Sequence, residues 1–331
     1  MPDTNQTTAT APQGAPTRAT HAFRPRRLGH CNLFVTDLDA SMKFYTEIAG
    51  LEEVYRVPGS GGGFVGNGNT HHDLAFLDFK GPLGFRAVNG KPGLYHLGIE
   101  LETEVELIED YHKALPTGIE MRPADHDICH SLYVPSPSGV VSELYADVVS
   151  DWRRQRTGIV TKPKPNWKPG DTEPVAEPRY HNDPPIHRLE HAVFHPERIT
   201  HVVLVCDDFE AIYDHYTRQV GFVALSGGRD QRKAVLGGKT GERNVFLYRA
   251  GPGRAAGCHH MGFIVKDEAD LNASIARLAT LGIVPELVID HPTRLCVFLT
   301  DPDGVRVQFY ADRKPTGPVA PVDEDLDIYL A

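Results

Sequence analysis

An internal repeat constrains the fold of this 331-residue chain more than any other feature of its sequence. The segment 28–51 predicts a β-strand followed by an amphipathic helix that closes at Gly50. The segment 199–223 repeats this pattern, and Gly221 stands 171 positions after Gly50. We therefore predict that the chain is a duplication of two similar halves.

A second repeat lies inside each half. A strand at 94–101 and another at 258–265 are each followed by a helix with acidic residues at its start. Each half then closes with a matching hairpin, over 131–147 and 296–312. The simplest arrangement is four units of a strand, a helix and further strands, with two units in each half.

The repeat also sets the expected domain boundaries. We predict a flexible tail, a first domain, a Pro-rich linker lying on the surface, a second domain and a C-terminal tail, because proline at the linker's density resists regular structure. These segments cover residues 1–24, 25–150, 151–196, 197–314 and 315–331.

Composition narrows the class of ligand. The formal net charge is −10, with 34 Lys and Arg against 44 Asp and Glu, so the chain lacks the basic surface that nucleic-acid binding requires. The five cysteines include no CxxC pair, which predicts neither a disulfide framework nor a zinc finger and fits a cytoplasmic protein. No run reaches the roughly 18 apolar residues of a membrane span, so we expect no membrane partner and favour a small-molecule ligand.

Three metal-binding side chains fall at equivalent strand positions of the first half: His30, His96 and Glu143. Two neutral imidazoles and one carboxylate are the facial ligand set of non-haem Fe(II), which leaves adjacent positions open for a substrate and O2. The joint placement favours a metal site over three separate core residues. We therefore predict a metal centre in the first half.

The second half carries an altered set at the matching positions, namely His201, His260 and Gln308. The amide of Gln308 is a weaker ligand than a carboxylate, and it cannot offset the charge of the metal. We expect this half to be a non-catalytic structural partner, with some residual metal binding left open.

The most specific motif lies in residues 126–143: a His, five residues, an apolar residue with a Tyr, then a Pro, a Gly and the ligand Glu. On this motif and the repeat, residues 26–313 resemble a type I extradiol, catechol 2,3-dioxygenase-like ring-cleavage enzyme of the vicinal oxygen chelate, or glyoxalase, superfamily. Ala124 and Ser136 depart mildly from the residues usual at their positions.

The resemblance implies an α+β fold with two vicinal-oxygen-chelate domains, each built of two paired βαβββ modules that form an open, barrel-like mixed sheet. It implies Fe(II) as the cofactor, with Mn(II) as the other option, held by His30, His96 and Glu143. The implied reactants are a catecholic small molecule and O2. A homo-oligomeric assembly is expected on family habit alone.

The resemblance also implies roles for residues around the metal. His72 would match the acid–base histidine beside the O2 site, while His126 and Tyr133 would match residues that hydrogen-bond the substrate hydroxyl. His71 is the reserve candidate for the His72 role, because adjacent residues of a strand face opposite sides and only one would point inward.

One feature departs from the resemblance. Familiar two-domain enzymes of this kind keep the working metal in the second domain, whereas here the first domain carries the complete set. The second half has Phe298 where the first has Tyr133, and its segment RNVFLYR has no histidine, although His291 matches His126.

Two other functions share these residues. A glyoxalase-like metal isomerase or lyase would use the same three ligands but would not need the surrounding His and Tyr residues. A non-catalytic protein that binds an aromatic ligand, as resistance proteins of the superfamily do, would not need an intact metal site.

Overall fold

The computed structural model describes residues 22–331, and within them each half of the chain forms one mixed β-sheet. The first sheet contains nine strands: β1 Pro25–Val35, β2 Glu53–Val57, β3 Gly62–Val65, β4 Leu74–Asp78, β5 Gly93–Leu101, β6 Arg122–Asp125, β7 Cys129–Val134, β8 Val141–Asp147 and β9 Gly158–Ile159. The second contains eight: β10 Pro196–Cys206, β11 Val223–Gly227, β12 Lys233–Gly237, β13 Val245–Arg249, β14 Gly257–Val265, β15 Leu287–His291, β16 Arg294–Thr300 and β17 Arg306–Asp312.

Within residues 22–331, six α-helices accompany these strands: α1 Leu38–Lys43, α2 Glu104–Ala114, α3 Trp152–Gln155, α4 Phe209–Asp214, α5 Glu268–Thr280 and α6 Glu324–Asp327. Helices α1 and α4 each continue into a wider π-helical turn, over Phe44–Ile48 and His215–Gln219. Asp37 caps α1 by accepting a hydrogen bond from the backbone N–H of Ala40. No helix in residues 22–331 combines the length and the apolar character needed to cross a bilayer.

The predicted βαβββ modules are present four times. In the first half they are β1-α1-β2-β3-β4 and β5-α2-β6-β7-β8, and the second half repeats this order from β10 to β17. The strand orders are β6-β7-β8-β5-β1-β4-β3-β2-β9 and β11-β12-β13-β10-β14-β17-β16-β15, with the first strands of paired modules antiparallel at the centre. The sheets are open, and the α+β vicinal-oxygen-chelate fold is confirmed.

The two halves share one hydrophobic core and exchange short arms. Phe194, just before β10, packs against Gly50 of the first half, and Phe23, just before β1, packs against Gly221 of the second. A β-carbon on either glycine would lie 1.9 Å from the phenylalanine's carbonyl oxygen, and both glycines have a positive φ, of 80° and 92°. Only glycine fits at these two positions, each of which we call a glycine notch. This explains why both halves of the repeat have a glycine there.

The linker packs on the first sheet. Its strand β9 pairs with β2, and the chain's only two tryptophans, Trp152 and Trp167, are both buried in it. Trp167 stacks on His130 with ring centroids 4.1 Å apart. Large aromatic side chains anchor a segment whose prolines prevent regular structure.

The segments predicted as tails are packed where the structure describes them. Residues 1–21 lie outside the described part, but Phe23 is buried and Arg24 forms an ion pair with Asp110. At the other end, Ile328 and Ala331 are buried against the second sheet. The apolar side chains of these short segments explain why they attach to the domains.

Candidate metal centre

Three neighbouring strands place the predicted ligands side by side. His30 on β1 and Glu143 on β8 both pair with Gly98 of β5, which lies between those two strands. A β-carbon at Gly98 would lie 2.1 Å from the His30 ring, so the glycine leaves the space through which this ring reaches Glu143. His96 lies two residues before Gly98 and therefore on the same face of β5.

The ligand atoms of these three residues converge. Nε2 of His30 lies 3.1 Å from Oε2 of Glu143, and Nε2 of His96 lies 2.9 Å from the same oxygen. All three side chains are buried, and their ligand atoms lie within 4.8 Å of one another. Two imidazole nitrogens and one carboxylate oxygen at this spacing are a donor set that fits a divalent first-row metal.

The charge states of the ligands suit a metal. Burial lowers the pKa of His30 to about 4, so this ring is neutral near pH 7, and its Nδ1, which has no partner among the described residues, can carry the proton when Nε2 binds a metal. Burial alone would raise the pKa of Glu143, but hydrogen bonds from His30 and His96 hold it well below its usual range. The site therefore holds neutral nitrogen and anionic oxygen donors together.

Both His71 and His72 lie beside this cluster. The ring centroid of His72 is 4.2 Å from that of His30, and the His71 centroid is 5.5 Å away. The expectation that only one would point inward is wrong, because both residues lie in an irregular segment before β4, where strand alternation does not apply. Nδ1 of His71 is 3.1 Å from Oδ1 of Asp147, whereas Nδ1 of His72 has no partner among the described residues.

His126 and Tyr133 border the third side of the site. The Tyr133 hydroxyl lies 3.1 Å from Nε2 of His126, which is 3.4 Å from Oε1 of Glu143. The linker residue Lys164 approaches from behind, with Nζ 2.7 Å from Nδ1 of His126. Because an ammonium group only donates, neutral His126 carries its proton on Nε2, the nitrogen that faces the site. Burial first and Lys164 second hold the pKa of His126 well below its usual value.

Lys164 itself has an unusual environment. The residue as a whole is exposed, yet its ammonium lies among the atoms of the pocket, and this desolvation lowers the pKa of Lys164 to about 8. Reasoning from sequence missed this residue, together with Arg156 of the same linker. The available signal was that both tryptophans of the chain fall in the linker, which indicates a packed segment.

A cavity of about 130 Å³ opens onto these groups. One wall is aromatic, with the rings of Tyr55 and Phe64 stacked 4.1 Å apart and Phe64 packed edge-on against His72. The cavity is lined by Glu143, by His71, His72, His96, His126 and Tyr133, by apolar residues of β2 to β5, and by Arg86, Arg122, Arg156 and Lys164. The structure thus brings all six predicted site residues together around one small space, with His30 directly behind His72.

The second half reproduces the backbone of this site. His201 and Gln308 pair with Gly262 as their counterparts pair with Gly98, and a β-carbon at Gly262 would lie 2.0 Å from the His201 ring. The ring centroids of His201 and His260 are 5.7 Å apart, against 5.6 Å in the first half. The duplication therefore extends to the positions of the ligands.

The histidines of the second set have different hydrogen-bond partners from those of the first. Nη1 of Arg306 lies 3.2 Å from Nε2 of His259, whose Nδ1 lies 2.7 Å from Nδ1 of His260. Burial lowers the pKa values of both histidines, to about 4 for His259, so both are neutral. Arg306 can only donate, which places the His259 proton on Nδ1 and makes Nδ1 of His260 an acceptor. The proton of His260 then occupies Nε2, and moving it to Nδ1 to free Nε2 for a metal would break the contact with His259.

The C-terminal segment covers this second set. Nε2 of Gln308 donates to the carbonyl oxygen of Tyr329 at 2.9 Å, and the Tyr329 ring packs edge-on against Phe298 with centroids 5.4 Å apart. Arg243 stands just before β13, where the first half has His72 before β4. A protein segment thus lies against Phe298, the counterpart of Tyr133 at the cavity of the first half.

Comparison with known proteins agrees with this architecture. Residues 27–144 and 198–309 match the family model described as the Glyoxalase/Bleomycin resistance protein/Dioxygenase superfamily. A biphenyl-2,3-diol 1,2-dioxygenase of Rhodococcus globerulus is 32% identical over 125 residues. That match covers 37% of this chain and 63% of the relative, so the chain spans less than two thirds of the relative's length.

Solved structures show the same fold at low identity. A Mn(II)-bound glyoxalase from Novosphingobium aromaticivorans superposes with a TM-score of 0.61 at 15% identity, over 88% of this chain and 84% of the other. The homoprotocatechuate 2,3-dioxygenase from Arthrobacter globiformis gives a TM-score of 0.61 at 16% identity, over 92% of this chain and 86% of the other.

Proposed function

The chain belongs to the glyoxalase/bleomycin resistance protein/dioxygenase superfamily, and from this premise we propose that it is an extradiol ring-cleavage dioxygenase with its working site in the first half. The observation that carries the proposal is the convergence of His30 and His96 on one oxygen of Glu143, beside a cavity that also holds His72, His126 and Tyr133. The match to a diol dioxygenase supports the reaction class.

The three converging side chains would hold Fe(II), with Mn(II) as the other candidate. When bound, the ion supplies adjacent open coordination positions for a diol and O2 and a route for electrons between them. The reaction breaks the ring bond beside the two hydroxyl-bearing carbons. Both atoms of O2 enter the product, which ends in a carboxylate at one carbon and a carbonyl group at the other, while the ring supplies the electrons.

The chain's own residues would handle substrate and protons. His126 donates from Nε2, and with Tyr133 it is placed to hydrogen-bond the diol hydroxyl that becomes a carbonyl. Nδ1 of His72 is buried without a partner among the described residues, so this nitrogen is placed to exchange a proton at the O2 side of the site. The stacked Tyr55 and Phe64 give the substrate ring an apolar face and exclude water there.

The test is anaerobic reconstitution with Fe(II), followed by O2 uptake on addition of single catechols. We expect one O2 consumed per diol and a yellow ring-opened product. Isomerase activity without O2 uptake would establish the glyoxalase-like alternative instead, and failure to retain any metal would establish the binding-protein alternative. Either result refutes the proposal.

A matched pair of variants tests the location of the site. Glu143→Gln should abolish metal-dependent turnover, because it removes the one anionic ligand. Gln308→Ala, at the same position of the second half, should keep most of the activity. Equal losses in both would overturn the one-site proposal. A cytoplasmic location and a homo-oligomeric state stay predictions.

A further inference from the structure

We propose that the diol is a single-ring catechol that carries a carboxylate, with Lys164 and Arg122 as the groups that bind this carboxylate. The inference rests on the proposed function and narrows its substrate class. It follows from the charges, the volume and the walls of the cavity.

Four cationic residues line the cavity, and two of them, Lys164 and Arg122, have no acidic partner among the described residues. Lys164 donates one of its three N–H groups to His126 and makes no ion pair within residues 22–331. Arg122 lies over the Tyr133 ring, 4.3 Å from its centroid, and likewise has no carboxylate partner in the described part of the chain. Both residues line the cavity and have N–H donors left for a ligand.

The nearby acid is already occupied. Oδ2 of Asp127 accepts a hydrogen bond from Nη2 of Arg156 at 2.7 Å, and Oδ1 of Asp127 accepts one from Nζ of Lys162 at 2.8 Å. The buried Nε of Arg156, which also lines the cavity, has no hydrogen-bond partner among the described residues. Asp127 pairs with Arg156 and Lys162, so it does not neutralise Lys164 or Arg122.

The metal and its ligands do not supply a negative charge for Lys164 and Arg122 either. A divalent ion, one carboxylate from Glu143 and a singly deprotonated diol sum to zero. A substrate without a further charge would leave Lys164 and Arg122 without an ionic partner, and filling the cavity would remove part of their hydration. A substrate with a carboxylate on its ring would pair with them.

The volume limits the substrate to one ring. The cavity measures about 130 Å³, and an engineered protein cavity of about 150 Å³ binds benzene. A second aromatic ring would exceed this volume. The imidazole of His126 lies between Lys164 and Glu143, so the Lys164 ammonium is one ring's width away from the metal ligands.

The experiment compares 3,4-dihydroxybenzoate with 4-methylcatechol, a neutral diol of similar size, and with 2,3-dihydroxybiphenyl. Binding is measured by anaerobic calorimetric titration of the protein with and without Fe(II), where no turnover occurs, and O2 uptake is measured separately. The variants are Lys164→Met, Arg122→Met and the double variant. Lys162→Met is the matched control, because this residue pairs with Asp127 and does not line the cavity.

We expect the unmodified protein to bind 3,4-dihydroxybenzoate about ten- to a hundred-fold more tightly than 4-methylcatechol, the range for hydrogen bonds between charged groups. The double variant should lose this preference, Lys162→Met should keep it, and the bicyclic diol should bind more weakly than both. Equal affinities in the unmodified protein, or a preference that survives in the double variant, would overturn the inference.

The two proposals fail separately. Oxidation of 4-methylcatechol without any carboxylate preference would remove this inference and leave the dioxygenase proposal intact. A carboxylate preference that disappears in the double variant, together with no O2 uptake on any diol, would support the anion site and refute the dioxygenase proposal.

Discussion

Replacing Gly98 by alanine tests whether the glycine between two ligand strands is what allows the metal centre to form. The new β-carbon would lie 2.1 to 2.3 Å from three atoms of the His30 ring, so the ring must move away from Glu143. Gly262→Ala is the matched control, since its β-carbon would lie 2.0 to 2.6 Å from the same atoms of His201. The two variants make the same local collision in the two halves.

The expected losses of stability are similar. Overpacking a core costs about 1–3 kcal/mol, and the smaller conformational freedom of alanine in the unfolded chain returns about 0.4–1 kcal/mol. We therefore expect each variant to lower the free energy of unfolding by about 1–2 kcal/mol and Tm by several degrees. The effects on metal affinity should differ. Substitutions of residues that contact a metal ligand lower metal affinity by about 10–100-fold. Because Gly98→Ala moves the ligand His30 itself, we expect it to lower metal affinity by at least this factor.

Urea denaturation measures the first quantity, and chelator competition with Fe(II) under anaerobic conditions measures the second. Gly262→Ala should retain the iron affinity of the unmodified protein despite its lower stability. Equal losses of iron in both variants would refute the argument, because they would mean that the second half also binds metal or that iron is lost through general destabilisation. Full iron affinity in Gly98→Ala would show that His30 is not a ligand.

Individual side chains give three further predictions. The side chain of Lys164, with a pKa of about 8, is charged below this pH and neutral above it. The ratio of kcat/KM for 3,4-dihydroxybenzoate to kcat/KM for 4-methylcatechol should therefore fall as pH rises through about 8. A ratio that does not change with pH would exclude Lys164 from substrate binding. His72→Gln should lower turnover by about 10²–10⁴-fold with the iron content unchanged, whereas lost iron would make His72 a ligand. Tyr45→Phe removes a buried hydroxyl that donates to Asp301 of the other half at 3.0 Å, and urea denaturation should show a loss of about 1.5–3 kcal/mol; no change would mean that water replaces this contact.

The fold and the grouping of the main site residues were predictable because the repeat places them at matched positions. Residues that recur at one register of duplicated strands must lie abreast in the sheet, which is why His30, His96 and Glu143 could be grouped without knowing any distance. The role of Gly98 follows from the same register, since a row of three strands has room for one large ring only if the middle residue has no side chain.

The remaining contacts of the site depend on the course of irregular segments, which local sequence patterns do not predict. Lys164 reaches His126 only because the linker folds back over the first sheet, and no periodicity in a proline-rich segment predicts that route. His71 and His72 lie outside the strand that follows them, so the strand rule that separated them has no force there. Tyr329 packs on Phe298 through a segment too short for its amphipathic pattern to stand out.

The exchanged arms bear on how such a chain can evolve. Each half places a phenylalanine carbonyl against a glycine of the other, at Gly50 and at Gly221, so each half completes the packing of the other. A gene cut at the linker would encode two fragments that each leave a notch empty, and the fragments should regain order only when mixed. Selection therefore continues to act on the second half whether or not it performs chemistry. The ligand positions of the second half can change, whereas Gly221 cannot. A duplicated protein can therefore lose one of two metal sites and still keep the domain that contained it.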